Sequence, residues 1–258
     1  GFCMHSNSYV TINNNNYFEP GTIVSMPDTT NLVVTTNGNE EPKNEGLNEA
    51  LREGKYFIKV LNRLDKIVEG VQDRHSRYAR DYVNNYNVNE ISAGSGNNTA
   101  TSFGKAKIAP TDLMKRRINT ADCNNELTLD PGTYEDVVII SECDVKISNN
   151  VILTNATLIS KGDIGGSHIV LGVDDNCAAG GGAQLLAYGD VQFSSTIELY
   201  GGQIIAAGDI DFQANGDGMQ GASIVAGGDI DSTSNLNFAF CGSGMEHSFL
   251  AEYFRLAQ

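Results

Sequence analysis

The sequence predicts a mainly β protein: a parallel β-solenoid, or β-helix-like stack, of rungs about twenty residues long, with a helical segment inserted. Three observations carry this. The first is an internal repeat. Thr157–Ile164, Gln184–Val191, Gln203–Ile210 and Ser223–Ile230 share a short apolar run, a small residue, then Gly-Asp and a branched apolar residue. Their aspartates, Asp163, Asp190, Asp209 and Asp229, are separated by 27, 19 and 20 residues. The second is composition: 28 Gly and 27 Asn, the residues that tolerate turns, mark many short strands. The third is a change of period between residues 41 and 90, where apolar residues fall at helical rather than strand spacing.

The repeat sets the reading of the C-terminal half. A period near twenty, with two short strands and a Gly-Asp corner per unit, fits stacked rungs about 4.8 Å apart. The longer first step matches the Gly-rich stretch Cys177–Gly182, expected to bulge from one rung. Glycine at the corner is expected to supply a positive φ, and the aspartate to accept hydrogen bonds from turn amides as a structural ladder. Ser160, Ala187, Ala206 and Ala226 are small enough for a tightly stacked interior. Val137–Ile140, Val145–Ile147 and Val151–Leu153 read as earlier rungs, and the β-like runs at Tyr9–Ile12, Thr22–Ser25 and Asn31–Thr35 as rungs earlier still. Three regions follow: an N-terminal β segment over 1–40, a helical insertion and linker over 41–120, and the solenoid with a C-terminal cap over 121–258.

Between them, Leu47, Leu51, Ile58, Leu61, Leu64, Val68 and Val71, widened by Ala50, Phe57 and Ile67, trace one buried helical face. Gly54 and Gly70 interrupt it, so two or three shorter helices are expected.

Charge limits the partners. With 17 Lys+Arg against 32 Asp+Glu, the net charge of -15 repels phosphate, which argues against nucleic acid and anionic membrane. The basic run Lys105, Lys107, Lys115, Arg116 and Arg117 reads as a solvated linker face. No apolar stretch is long enough to span a bilayer.

The five cysteines are Cys3, Cys123, Cys143, Cys177 and Cys241, with no CxxC and no histidine at zinc-ligand spacing. Two disulfides in an oxidising compartment is one reading, and five reduced thiols the other. Cys123 and Cys143 are one period apart and pair first. Cys177 and Cys241 lie three periods apart, about 14 Å in register, so only a bulged loop could join them. Cys3 is left over.

Catalytic signals are absent. The histidines at 5, 75, 168 and 247 show no HxH or HExxH spacing, and neither a GxSxG elbow nor a GxxxxGK[ST] loop occurs. A solenoid polysaccharide-active enzyme would need two carboxylates in unlike environments, and a uniform Asp row does not supply them. The chain is therefore expected not to be an enzyme and to need no cofactor. Calcium is the one speculative ligand, at Asp209, Asp211 and Asp217 with Asp229 and Asp231 nearby, although the GGxGxDxUx nonapeptide is missing.

Three stretches resemble the TadG-like (TadE/TadG family) proteins of the tight-adherence, or Flp-type, pilus. They are Phe2-Cys3-Met4-His5 with Asn13–Gly21 and Ser25-Met26-Pro27; Gly46–Glu53 with Ile67–Gly70; and Glu252–Leu256 after Cys241-Gly242. The resemblance implies the periplasmic or extracellular domain of a minor pilin (pseudopilin) in a Gram-negative bacterium, anchored by a transmembrane helix outside this chain. Its partners would be other pilus subunits, bound at the tip or base, and the terminal segment around Leu250, Tyr253, Phe254 and Leu256 is the expected docking strand. The alternative is a surface adhesin binding glycans through exposed aromatics, with Tyr188, Phe193, Tyr200 and Phe212 as candidates.

Overall fold

The computed structural model describes residues 3–36, 43–53, 57–72, 107–115, 118–121, 125–175, 182–213, 216–233 and 236–239. In chain order the elements begin with β1 (Cys3–Ser6), β2 (Val10–Asn13), β3 (Tyr17–Phe18), β4 (Ile23–Met26) and β5 (Leu32–Thr35). Next come α1 (Leu47–Ala50), β6 (Leu51–Glu53), α2 (Val60–Gln72) and β7 (Lys107–Ile108). The rungs proper follow: β8 (Ile118–Ala121), β9 (Glu126–Leu129), β10 (Gly132–Glu135); β11 (Val138–Ser141), β12 (Asp144–Ile147), β13 (Val151–Thr154); β14 (Ala156–Ser160), β15 (Ile164–Gly166), β16 (Ile169–Gly172). They continue with β17 (Ala183–Ala187), β18 (Val191–Phe193), β19 (Ile197–Tyr200); β20 (Gln203–Ala206), β21 (Ile210–Phe212), β22 (Gly216–Gln220); β23 (Ser223–Ala226), β24 (Ile230–Ser232) and β25 (Leu236–Ala239).

Every pairing is parallel, and the strands form three sheets of 9, 7 and 9 strands: the fold is a parallel β-solenoid. Each rung has three strands rather than the expected two. The third, in the seven-stranded sheet, follows no fixed offset from the Gly-Asp corner, so the repeat does not announce it.

One strand per rung is apolar on both faces. Ile139, Leu158, Leu185, Ile204 and Ile224 stack in register inside the solenoid, and Met4 and Val24 extend the column. All are fully buried. Their neighbours Ile140, Ile159, Leu186, Ile205 and Val225 face outward, where α2 covers them with Val60, Leu64, Ile67, Val68 and Val71. Paired branched residues such as Leu185-Leu186 thus mark a sheet buried on both sides. At roughly 25 cal/mol per Å² of apolar surface, each such outer residue under the helix adds about 1.5–3 kcal/mol. Tyr188 anchors the helix further, donating from its hydroxyl to Asp65 at 2.8 Å, with the Lys161 ammonium 4.2 Å above its ring. The expected helical stripe is divided into α1 and α2, but Gly70 does not break it, since it lies inside α2, and Gly54 lies outside the described residues. Leu51 sits in β6, whereas Phe57 (74% exposed) and Leu61 (53%) point to solvent.

The N-terminal strands stack at the other end from the one expected. β1 pairs with β23, β2 with β24 and β3 with β25, so residues 3–18 form the rung after the C-terminal one. β4, β5 and β6 then carry the stack further. Helix α2 runs back along the outside, and β7 enters beside β9 at the opposite end. Parallel in-register pairing accepts a new rung at either end with identical hydrogen bonding, so a repeat pattern does not say at which end a segment joins.

Candidate docking end and the Asp ladder

The repeated aspartates form a continuous hydrogen-bonded column. Each carboxylate Oδ1 accepts from the backbone amide of the Asp one rung on: Asp144 from Asp163 (2.9 Å), Asp163 from Asp190 (2.7 Å), Asp190 from Asp209 and Asp209 from Asp229 (both 2.8 Å). The column ends where Asp229 accepts from Tyr9 at 3.1 Å, across the join to the N-terminal rung. Asp144 is thus a fifth member, which the Gly-Asp repeat does not reveal because Cys143 precedes it. The glycine has a different purpose from the one expected. Gly162, Gly189, Gly208 and Gly228 are absent from the positive-φ residues. A Cβ at each would instead collide with Oδ1 of the aspartate one rung back. Asp144 lies over Glu126, not over an aspartate, and there Cys143 can carry its side chain.

The ladder uses Oδ1 of each of these carboxylates to hold the next rung. Beside it, Asp211 and Asp231 are register partners on adjacent strands, next to Asp209 and Asp229. Burial, then Asp211 and Asp229, pushes the Asp231 carboxyl above its ordinary value. Asp217 lies in β22, and nothing further is described of it. Among the described residues no group of three His, Cys, Asp or Glu side chains is placed to hold a metal ion. The aromatic candidates do not form an outer row: Phe193 and Phe212 are in the core, Tyr188 lies under α2, and half-buried Tyr200 bonds Glu198 at 2.9 Å.

Cys143 is disulfide-bonded, and Cys3 is the free cysteine among the described residues. Cys123, Cys177 and Cys241 lie outside the described residues, as do the expected docking residues Leu250, Tyr253, Phe254 and Leu256.

The two ends of the solenoid are built differently. At the starting end, residues 107–115 fold over the first rung. Ile108 is fully buried, and its carbonyl accepts from Tyr134 Oη at 2.9 Å and from the Asp130 amide at 2.8 Å. A 3-10 turn at Pro110–Asp112 follows, closed by Ala109 N–H to Asp112 Oδ2 at 3.0 Å. Buried Asn119 accepts from Met114 N–H (3.0 Å) and donates to the Met114 carbonyl (3.1 Å). Lys107 on the edge strand, Pro110 behind it and the Lys115–Glu135 ion pair blunt this edge, the usual protection against strand addition.

The far end lacks those devices along β5. Its Leu32-Val33-Val34-Thr35 holds no charge and no proline, and among the described residues it pairs on one side only, with β2. Val33 is 42% exposed, and Leu32 and Val34 are only partly covered. Ile23 on β4, Tyr9 and Tyr17 are also exposed around this end. The core itself is closed by α1, which buries Leu47 and Ala50, and by the stacked rings of Phe18 and Phe238, 4.6 Å apart. Gly46 has φ +78 and lies so near the Phe18 carbonyl that no side chain would fit. The end therefore offers a sheet edge beneath a sealed core. Sequence reasoning missed it because a charge-free β-branched run reads alike as an edge or a central strand.

No helix among the described residues is long and apolar enough to cross a membrane. No curated protein and no solved structure matches the chain. A family profile described as a domain of unknown function, DUF7867, matches residues 1–242, and the chain belongs to that family.

Proposed function

We propose that this protein is a non-enzymatic structural or assembly component of a surface pilus, as its resemblance to TadG-like proteins implies, acting by protein–protein binding. The observation that carries this reading is the contrast between the two edges of one nine-stranded sheet: β7 carries Lys107 with Pro110 behind it, while β5 is uncharged and, among the described residues, pairs only with β2. An extended, apolar strand of another subunit adds to β5 in parallel, with backbone hydrogen bonds supplying affinity and the exposed Val33 and Ile23 supplying contact. The rigid stack between the ends serves as a spacer. The disulfide at Cys143 supports an oxidising, periplasmic or extracellular location. In this reading the repeated carboxylates hold the rungs together.

The test is site-specific photo-cross-linking in the source cells, with the photoreactive residue at Val33 or, as the control, at Lys107. Capture of pilus subunits from position 33 and not from 107 is the expected result. Capture of carbohydrate or host surface instead, with pili intact in a deletion strain, overturns it in favour of an adhesin.

A further inference from the structure

One polar cluster plays no part in the ladder or in the exposed edge. On the outer face of the nine-stranded sheet under α2, His5 of β1 lies between Ser25 of β4 and Asn7 at the following corner. Ser25 Oγ is 2.6 Å from His5 Nδ1, and Asn7 Oδ1 is 3.2 Å from His5 Nε2. His5 is 5% exposed and Asn7 7%, while Ser25 remains partly open.

The proton positions follow from the network. Asn7 Nδ2 donates to the Ile58 carbonyl at 2.8 Å, and Asn7 Oδ1 accepts from the Ile58 amide at 2.9 Å. That pair fixes the amide with its oxygen towards His5, so Nε2 must carry the imidazole proton. Nδ1 is then a lone pair, and the Ser25 hydroxyl donates into it. Burial, and secondarily the charge of Arg63 on α2, hold His5 below its ordinary pKa and keep it neutral, while the bond to Asn7 acts in the opposite sense. The charged or titratable neighbours are Arg63 on α2, Arg52 opposite Ser25 on β6, and Cys3 on β1 itself. Arg52 is turned away to the Glu49 and Leu51 carbonyls. A hydroxyl on a neutral imidazole that a third group orients is the arrangement of an activated nucleophile.

The geometry points to Ser25 as a nucleophile that accepts an acyl group from an activated carboxylic ester, with His5 as its base and Asn7 as a positioning residue. Ser25 Oγ forms a bond to the ester carbonyl carbon as its proton passes to His5 Nδ1. The carbon–oxygen bond to the leaving alcohol then breaks, and that alcohol takes the proton from His5, leaving an O-acyl serine. The step needs no oxidant, metal or second substrate. It is a single modification rather than turnover, so it is independent of the docking reading, and either can fail alone.

The experiment is incubation of the folded protein with p-nitrophenyl acetate, following nitrophenolate release and mapping the acetyl group by peptide mass spectrometry. The expected result is a burst approaching one equivalent, with acetyl on Ser25 and a rate that rises through a pKa below the ordinary histidine value. Ser25→Ala abolishes the burst, Ser25→Cys retains it, and His5→Gln slows it by about 100-fold or more. Thermal melting establishes that each variant is folded. Acetylation confined to lysines, no burst from folded protein, or a Ser25 rate unchanged by His5→Gln overturns the assignment and leaves the cluster as a fastening between the last rungs and the segment leading into α2.

Discussion

The starting end and the far end of this solenoid solve one problem in opposite ways. Every open stack of parallel strands ends in rows of unpaired amides and carbonyls. At the start, residues 107–115 bury Ile108, satisfy Asn119 and put Lys107 and Pro110 where another strand would land. At the far end, α1 seals the core, while β5 carries no charge and pairs, among the described residues, with β2 alone. Sealing a core and blunting an edge are therefore separate tasks. The first protects stability and the second prevents association, so an edge without the second, such as β5, is suited to binding.

Substitutions at the two ends should behave differently. The largest stability effect is expected from Ile108→Ala, which hollows the starting cap and should cost about 2–5 kcal/mol in chemical denaturation. A loss under about 1 kcal/mol would mean that this cap is not integral to the stack. Next comes a Gly-Asp corner in the middle of the stack. Gly208→Ala drives a methyl into the Asp190 carboxylate and should cost about 1–3 kcal/mol. The double variant Asp190→Ala/Gly208→Ala should be markedly less destabilised than the two single losses added together. Simple additivity would show that glycine is needed there for another reason.

The open end should tolerate change. Val33→Lys is expected to alter stability by no more than about 0.5 kcal/mol, yet to abolish partner capture, because it places on β5 the charge that already guards β7. Retained capture would remove β5 as the docking strand.

The smallest effect concerns Asp231. Its folded-state pKa is raised above the ordinary 3.8, so holding it ionised costs stability above that range, and the cost disappears as pH falls below the unfolded value. Asp231→Asn should stabilise the protein at pH 7 by less than about 1 kcal/mol, given solvent screening, with the advantage vanishing below about pH 4. An advantage that persists at pH 3 would trace it to packing rather than charge.

Much of the fold is legible in the residues. The Gly-Asp period, the small residues before it and the apolar doublets dictate stacked parallel rungs, because each must meet its own copy about 4.8 Å away. The aspartates at 163, 190, 209 and 229 could be read as a ladder for the same reason. The cause of their glycines could not, because it is the carboxylate of a different rung that fills the space. Asp144 escaped notice because its rung has Cys143 at the glycine position. The nucleophile cluster was equally hidden: His5, Asn7 and Ser25 carry no motif, and Ile58, which orients Asn7, comes from a segment that meets β1 only in the folded chain.

The sequence by itself determined the rung: its length, its inward face and its structural aspartates, all properties that repeat locally. The tertiary structure alone decided where the N-terminal rungs stack, which edge is guarded and which side chains meet at His5. Those depend on the return of the chain along α2, and parallel pairing, being the same at both ends, gives local sequence no means to choose between them.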